Sequence, residues 1–180
     1  MDSSDVEERF DQAESLEDYL ETAAANVELW RSVTARAKVP DDLLARARAL
    51  PPRNLLVLSE DWCGDAVNTV PLMAALADAV PQFELRILAR DRNLDLMDEH
   101  LSDGARAIPV IIAYDDEFRE LGWWASRPAP LQAWVMSEGK AMAKEERYKE
   151  VRRWYANDRG RTTLAEIVAM LEKTAAEQAA

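Results

Sequence analysis

The chain has 180 residues and a formal net charge of −12, and 48% of its residues are apolar. It is long enough to bury a sizeable core, and its acidity argues against a nucleic-acid backbone or an anionic membrane as partner. With one cysteine and one histidine, it cannot form an internal disulfide, and the expectation is no soft metal site within a single chain.

No apolar run is long enough to span a bilayer. The opening "MDSSDVEERFDQAESLEDYLE" is acidic where a signal peptide would be basic. A single cysteine agrees with a reducing compartment, so the expectation is a cytoplasmic protein. Acidic and apolar residues alternate at helical spacing, which predicts helix through residues 5–48. "VPDDLLARARAL" forms the last piece, with Asp41 or Asp42 near its start. There is no glycine before Gly64, so turns in this region need other residues. "PP" at 51–52 ends it.

The pattern then changes. "NLLVLSE" reads as a buried strand, and "GDAVNTVPLMAALADAV" as an apolar helix that contains Pro71. "FELRILARD" alternates like a strand, and "NLDLMDEHL" fits a short helix with His100 at its exposed end. "IPVIIAYDD" and "EFRELGWW" read as two strands joined by a tight turn. Helix is predicted again from Leu131 to Ala156, bent near Gly139. Gly160 is placed to stop that helix. Thr162 or Thr163 with Glu166 resembles a capping box for the last one. Strands alternating with helices imply parallel crossovers, and a closing hairpin makes the sheet mixed. The expected organisation is one domain over 1–180. It has a helical extension at 1–50, an α/β core at 54–138 and C-terminal helices at 139–180.

"WCGDA" sits where the first strand gives way to the helix. Trp62, Cys63 and Gly64, the helix-internal Pro71 and the strand-opening pair Ile108-Pro109 together resemble the thioredoxin superfamily. That family carries W-C-G-P-C, a proline kink in the following helix and a cis-proline facing the cysteine. The helical ends resemble a bacterial thioredoxin-like family with a W-C-G-D motif. The resemblance implies a thioredoxin-like α/β fold: a central mixed β-sheet flanked by helices, with helical N- and C-terminal extensions. It implies Cys63 as nucleophile in thiol–disulfide exchange. Trp62, Gly64, Asp65, Ala66, Ile108 and Pro109 would form the substrate groove. The chain departs from the family at three places. Asp65 replaces the motif's proline, Ala66 its second cysteine, and Val57 the buried acid that aids proton transfer in many members.

A cysteine at a helix N-terminus meets free N–H groups and the positive dipole end, both of which favour thiolate. The dipole is worth about 0.3–1 kcal/mol at an exposed site. Glu60, Asp61 and Asp65 oppose it, each at contact range by about 1–4 kcal/mol. The sequence leaves the sign of the net shift open, and Arg127 in "SRPAP" is a candidate countercharge. Without a second thiol, Cys63 would need an external one to complete a cycle. Glutathione or another low-molecular-weight thiol is the expected co-substrate, with no bound cofactor. The expected partners are protein or small-molecule disulfides, with no nucleic acid and no membrane. The alternative is a non-catalytic adaptor that binds a protein through the same groove. An inert thiol on an inherited scaffold would suit that role. Trp123, Trp124 and Trp134 would line a groove or serve as half-buried packing.

Overall fold

The computed structural model describes residues 1–179. Ala180, the last residue of the expected C-terminal helices, lies outside the described residues.

The N-terminal region is four helices: α1 Ser3–Gln12, α2 Leu16–Thr22, α3 Val27–Thr34 and α4 Asp41–Arg48. The helical stretch expected over 5–48 is therefore interrupted, and the residues that interrupt it are not glycines. Ser15 caps α2 by accepting from Asp18 N. Asn26 takes a left-handed conformation at φ 53 before α3. In the first break, Glu14 pairs antiparallel with Ile87 and covers part of a sheet edge. Each helix turns one apolar stripe inward, as Val6 and Phe10 in α1 or Leu43 and Ala47 in α4 do at i, i+4 spacing.

The centre is a four-stranded mixed sheet in the order β2-β1-β3-β4. β1 (Arg53–Ser59) pairs parallel with β2 (Phe83–Ala89) and antiparallel with β3 (Val110–Tyr114). β3 pairs antiparallel with β4 (Glu120–Ala125). All five β3 residues are buried, so both faces of the central strands are covered. β4 starts later than its apolar pattern predicts. The Asp115 carboxylate accepts from Glu117 N and Arg119 N, which holds a turn through Phe118 at φ 54.

α5 (Gly64–Ala79) makes the parallel crossover and contains Pro71. α6 (Leu94–Asp98) follows β2. The long helix expected over 131–156 is divided into α7 (Ala129–Trp134), a π-helical turn at Val135–Gly139, and α8 (Lys144–Asp158). α9 (Arg161–Gln178) closes the chain. The expected capping box does not form: Thr162 N bonds the Asp158 carboxylate at 3.0 Å, while Glu166 accepts from Trp124 Nε1 and Ala129 N. Gly160 has φ +78, and a Cβ there would lie 2.1 Å from Leu72 Cδ1, so only glycine lets the α8–α9 turn approach α5 this closely.

His100 is not at the surface. It is 1% exposed, with Nδ1 2.8 Å from Leu96 O and Nε2 3.1 Å from a Glu120 carboxylate oxygen. Burial pulls its pKa down, but Glu120 and the Leu96 carbonyl outweigh burial and the net shift is upward. Trp123 packs edge-on against it.

Candidate functional site

The site is built where β1 ends and α5 begins. Cys63 is the N-cap of α5, with extended backbone, and its own N–H donates to Glu60 O at 3.1 Å. The thiol donates to Ile108 O at 3.5 Å. The Ile108–Pro109 peptide is cis. Pro109 O accepts from Ser126 N at 2.8 Å, which ties the end of β4 across the proline. The structure thus brings Cys63, Ile108 and Pro109 together from two distant stretches of chain.

The seven candidate residues divide by exposure. Trp62 is 51% exposed and Gly64 is exposed. Cys63 is 8% exposed, and Asp65, Ala66, Ile108 and Pro109 are buried. A reactant therefore reaches the sulfur past Trp62 and Gly64. The Ile108-Pro109 edge is covered in this conformation. Trp62 is itself steadied by Arg90, whose guanidinium carbon lies 5.1 Å from the ring centroid. Gly64 leaves open space where a Cβ would stand.

The three carboxylates around Cys63 are each engaged. Glu60 accepts from Asp91 N at 2.8 Å. Asp61 accepts from Ala24 N at 2.7 Å and Ala25 N at 2.8 Å, and its carbonyl from Asn26 Nδ2 and Trp30 Nε1. Asp65 turns inward. It pairs with Arg127 Nη2 at 2.5 Å and accepts from the Tyr155 hydroxyl at 3.0 Å. Arg127 also donates to Gln132 Oε1 at 3.2 Å, and its Nε is buried without a partner.

Burial pushes the Cys63 thiol up, and the Asp65 charge adds to this. The backbone N–H groups of Ala66 and Asp65 and the Arg127 charge pull the other way but do not cancel it. The sign that the sequence left open is therefore upward. Burial likewise pushes the Asp65 carboxyl up, with Arg127 and Tyr155 opposing.

Arg127 does reach this neighbourhood, through Asp65. Tyr155 was not legible as a site residue: it lies 90 positions from Asp65, and no local pattern in α8 marks it. Trp124 bonds Glu166, and Trp134 joins a small satellite cluster with Leu131, Val151 and Tyr155. Among the described residues, no three His, Cys, Asp or Glu side chains are grouped to hold a metal ion. No helix among them is long and apolar enough to cross a membrane.

Comparison with known proteins agrees with the fold. No curated protein matches the chain significantly. A Pseudomonas aeruginosa protein of unknown function, seen in a crystal structure, superposes with a TM-score of 0.71 at 22% identity, over 92% of this chain and 96% of that one. An HIV epitope scaffold superposes with the same TM-score at 21% identity and the same coverage. At such identity these likenesses show the fold alone. The family model described as Thioredoxin matches residues 13–159, which takes in the first strand, the cysteine-capped helix and the cis-proline, and on that extent the chain belongs to the thioredoxin superfamily.

Proposed function

We propose that the protein carries out monothiol thiol–disulfide exchange at Cys63. The observation that carries this reading is the placement of the sulfur at the N-cap of α5, 3.5 Å from the carbonyl that precedes cis-Pro109. That placement sets a nucleophile among helix N–H groups and beside a backbone edge.

The chemistry follows from one thiol. The Cys63 thiolate attacks one sulfur of a disulfide, forms a mixed disulfide and expels the other sulfur as thiolate, which takes up a proton. Ala66 offers no second thiol. An external thiolate then attacks the Cys63 sulfur and releases the substrate's second thiol. A second external thiol frees Cys63 and leaves as the external disulfide. Two external thiols are oxidised for each substrate disulfide reduced. Because burial raises the thiol's pKa, the thiolate fraction is small at neutral pH, and the rate should climb with pH into the alkaline range.

The second reading, a non-catalytic adaptor, draws on that same burial. A sulfur in a residue 8% exposed and pushed up in pKa suits a packing role. The exposed Trp62 would then serve as the contact to a protein partner. Incubation with glutathione disulfide, followed by intact mass measurement, separates the two. Exchange predicts a single glutathione adduct that is absent in Cys63→Ser and removed by excess thiol. An unmodified protein at pH 9 would sink the exchange reading and leave the adaptor.

A further inference from the structure

The acidic chain contains a basic stretch. Residues 140–161 carry eight Lys or Arg and four Asp or Glu, a net +4 within a chain of net −12. The C-terminal end of α8 meets the α3–α4 connection and the middle of α5 around a cavity of ≈ 700 Å³. Arg36, Lys38 and Arg159 line it, and among the described residues no carboxylate does. Two other grooves are mixed: one sets Glu17, Asp78 and Glu84 against Arg86, the other Glu99 and Glu120 against Arg119. The nearby acids are committed elsewhere, since Asp42 pairs with Arg161 and Asp158 accepts from Thr162. Three cations gathered without a countercharge among the described lining residues repel one another and focus a positive potential into the cavity.

The cavity is also continuous with the site. Tyr155 forms part of its wall, and the Tyr155 hydroxyl holds Asp65. Leu72 and Gly160 line it where α5 meets the α8–α9 turn. Asn68 lines it too and donates to Gly64 O, so exposed Gly64 and half-buried Asn68, one turn apart on α5, link the cysteine's turn to the cavity. At about 1.5 Å per residue, Asn68 lies about 7.5 Å and Leu72 about 13 Å along the helix from Cys63. An extended tripeptide spans about 10 Å.

We propose that this cavity binds the external thiol of the exchange reaction: an anionic, carboxylate-bearing thiol of tripeptide size. Its carboxylates rest on Arg36, Lys38 and Arg159, and its sulfur reaches Cys63 past Gly64. The role of the ligand rests on the exchange reading; the binding does not.

Isothermal titration of the Cys63→Ser protein with S-methylglutathione, a thioether that cannot exchange, tests the binding. Saturable one-to-one binding is expected at low salt. It should weaken about tenfold or more in the Arg36→Gln/Lys38→Gln/Arg159→Gln variant, and also as salt is raised. Arg86→Gln, in one of the mixed grooves, should stay within about twofold of the parent. No saturable binding, an unchanged affinity in the triple variant, or an equal loss in Arg86→Gln would each overturn the assignment. Hydroxyethyl disulfide, which carries no charge, reports on exchange separately. If it forms a mixed disulfide with native protein while the thioether does not bind, the cavity assignment falls and exchange stands. If the thioether binds but Cys63 forms no mixed disulfide, the exchange reading falls, and with it the ligand's role as resolving thiol.

Discussion

Asp61 and Asp65 flank Cys63 at equal distance in sequence, two residues before and two after, yet they are held in different ways. Asp61 is bound by uncharged donors of the N-terminal region: the Ala24 and Ala25 amides of the α2–α3 connection at its carboxylate, and Asn26 and Trp30 at its carbonyl. Asp65 is 7% exposed and is held by a guanidinium and a phenol from the segment after β4. The N-terminal helices belong to the main core, whereas Leu131, Val151 and Tyr155 form a satellite cluster of their own. The turn that carries Cys63 is thus anchored on one side by the N-terminal region through Asp61, while on the other side Arg127 and Tyr155, from the stretch after β4, set the charge beside the sulfur.

Arg127→Ala should break the contrast most strongly. It strands a buried carboxylate, and removing one partner of a buried pair costs about 3–5 kcal/mol; the partial exposure of Arg127 places the expectation near about 3 kcal/mol in urea unfolding. The same variant should raise the Cys63 pKa, because a nearby cation is lost. Tyr155→Phe removes only the hydroxyl, and a hydrogen bond to a charged group is worth about 1.5–3 kcal/mol. Its cost should therefore be smaller than that of Arg127→Ala. A Tyr155→Phe protein as stable as the parent would show that α8 is not tied to the site through this bond.

Asp61→Ala should cost about 1 kcal/mol, the net worth of its amide bonds at a partly exposed position. It sharpens the comparison through what stays constant: the pH profile of Cys63 alkylation should hold still. A shift as large as that of the Asp65 variants would erase the proposed division of roles.

The smallest expected effect is in the pH dependence of stability. Burial raises the Asp65 pKa in the folded state, so between the ordinary value of about 3.9 and the raised one the folded chain binds more protons than the unfolded chain. The Asp65 contribution to stability therefore falls as pH rises through that window. Asp65→Asn removes this slope, so the difference between variant and parent should grow in the variant's favour as pH climbs from 4 upward. A difference curve that is flat or opposite in sign would contradict the assigned shift.

Much of this was legible in the sequence because it is local. Cys63, Gly64 and the apolar strand before them announce a strand-to-helix turn, and Ile108-Pro109 opens the strand that meets it. The mixed sheet follows from apolar periodicity and the hairpin. What could not be read depends on distance. Tyr155 reaches Asp65 across 90 positions, and Asp61 finds its donors 36 and 37 residues upstream. His100 stands where a surface helix end is expected, but Glu120, 20 residues on, gives its buried ring a partner. The capping box failed for the same reason: Glu166 had better donors in Trp124 and Ala129 than in its own helix start.

The central claim is that Cys63 is an exchange-competent thiol whose pKa is raised by burial and partly by Asp65. The most direct test is the rate of Cys63 alkylation by iodoacetamide as a function of pH, in the parent and in Asp65→Asn. Cys63 should show a single titration with an apparent pKa above the free-thiol value of about 8.5. The value should be lower in Asp65→Asn, where a negative charge is gone and Arg127 is left unopposed. A parent pKa below the free-thiol value, an Asp65→Asn pKa equal to or above that of the parent, or a cysteine unreactive at every pH would contradict it.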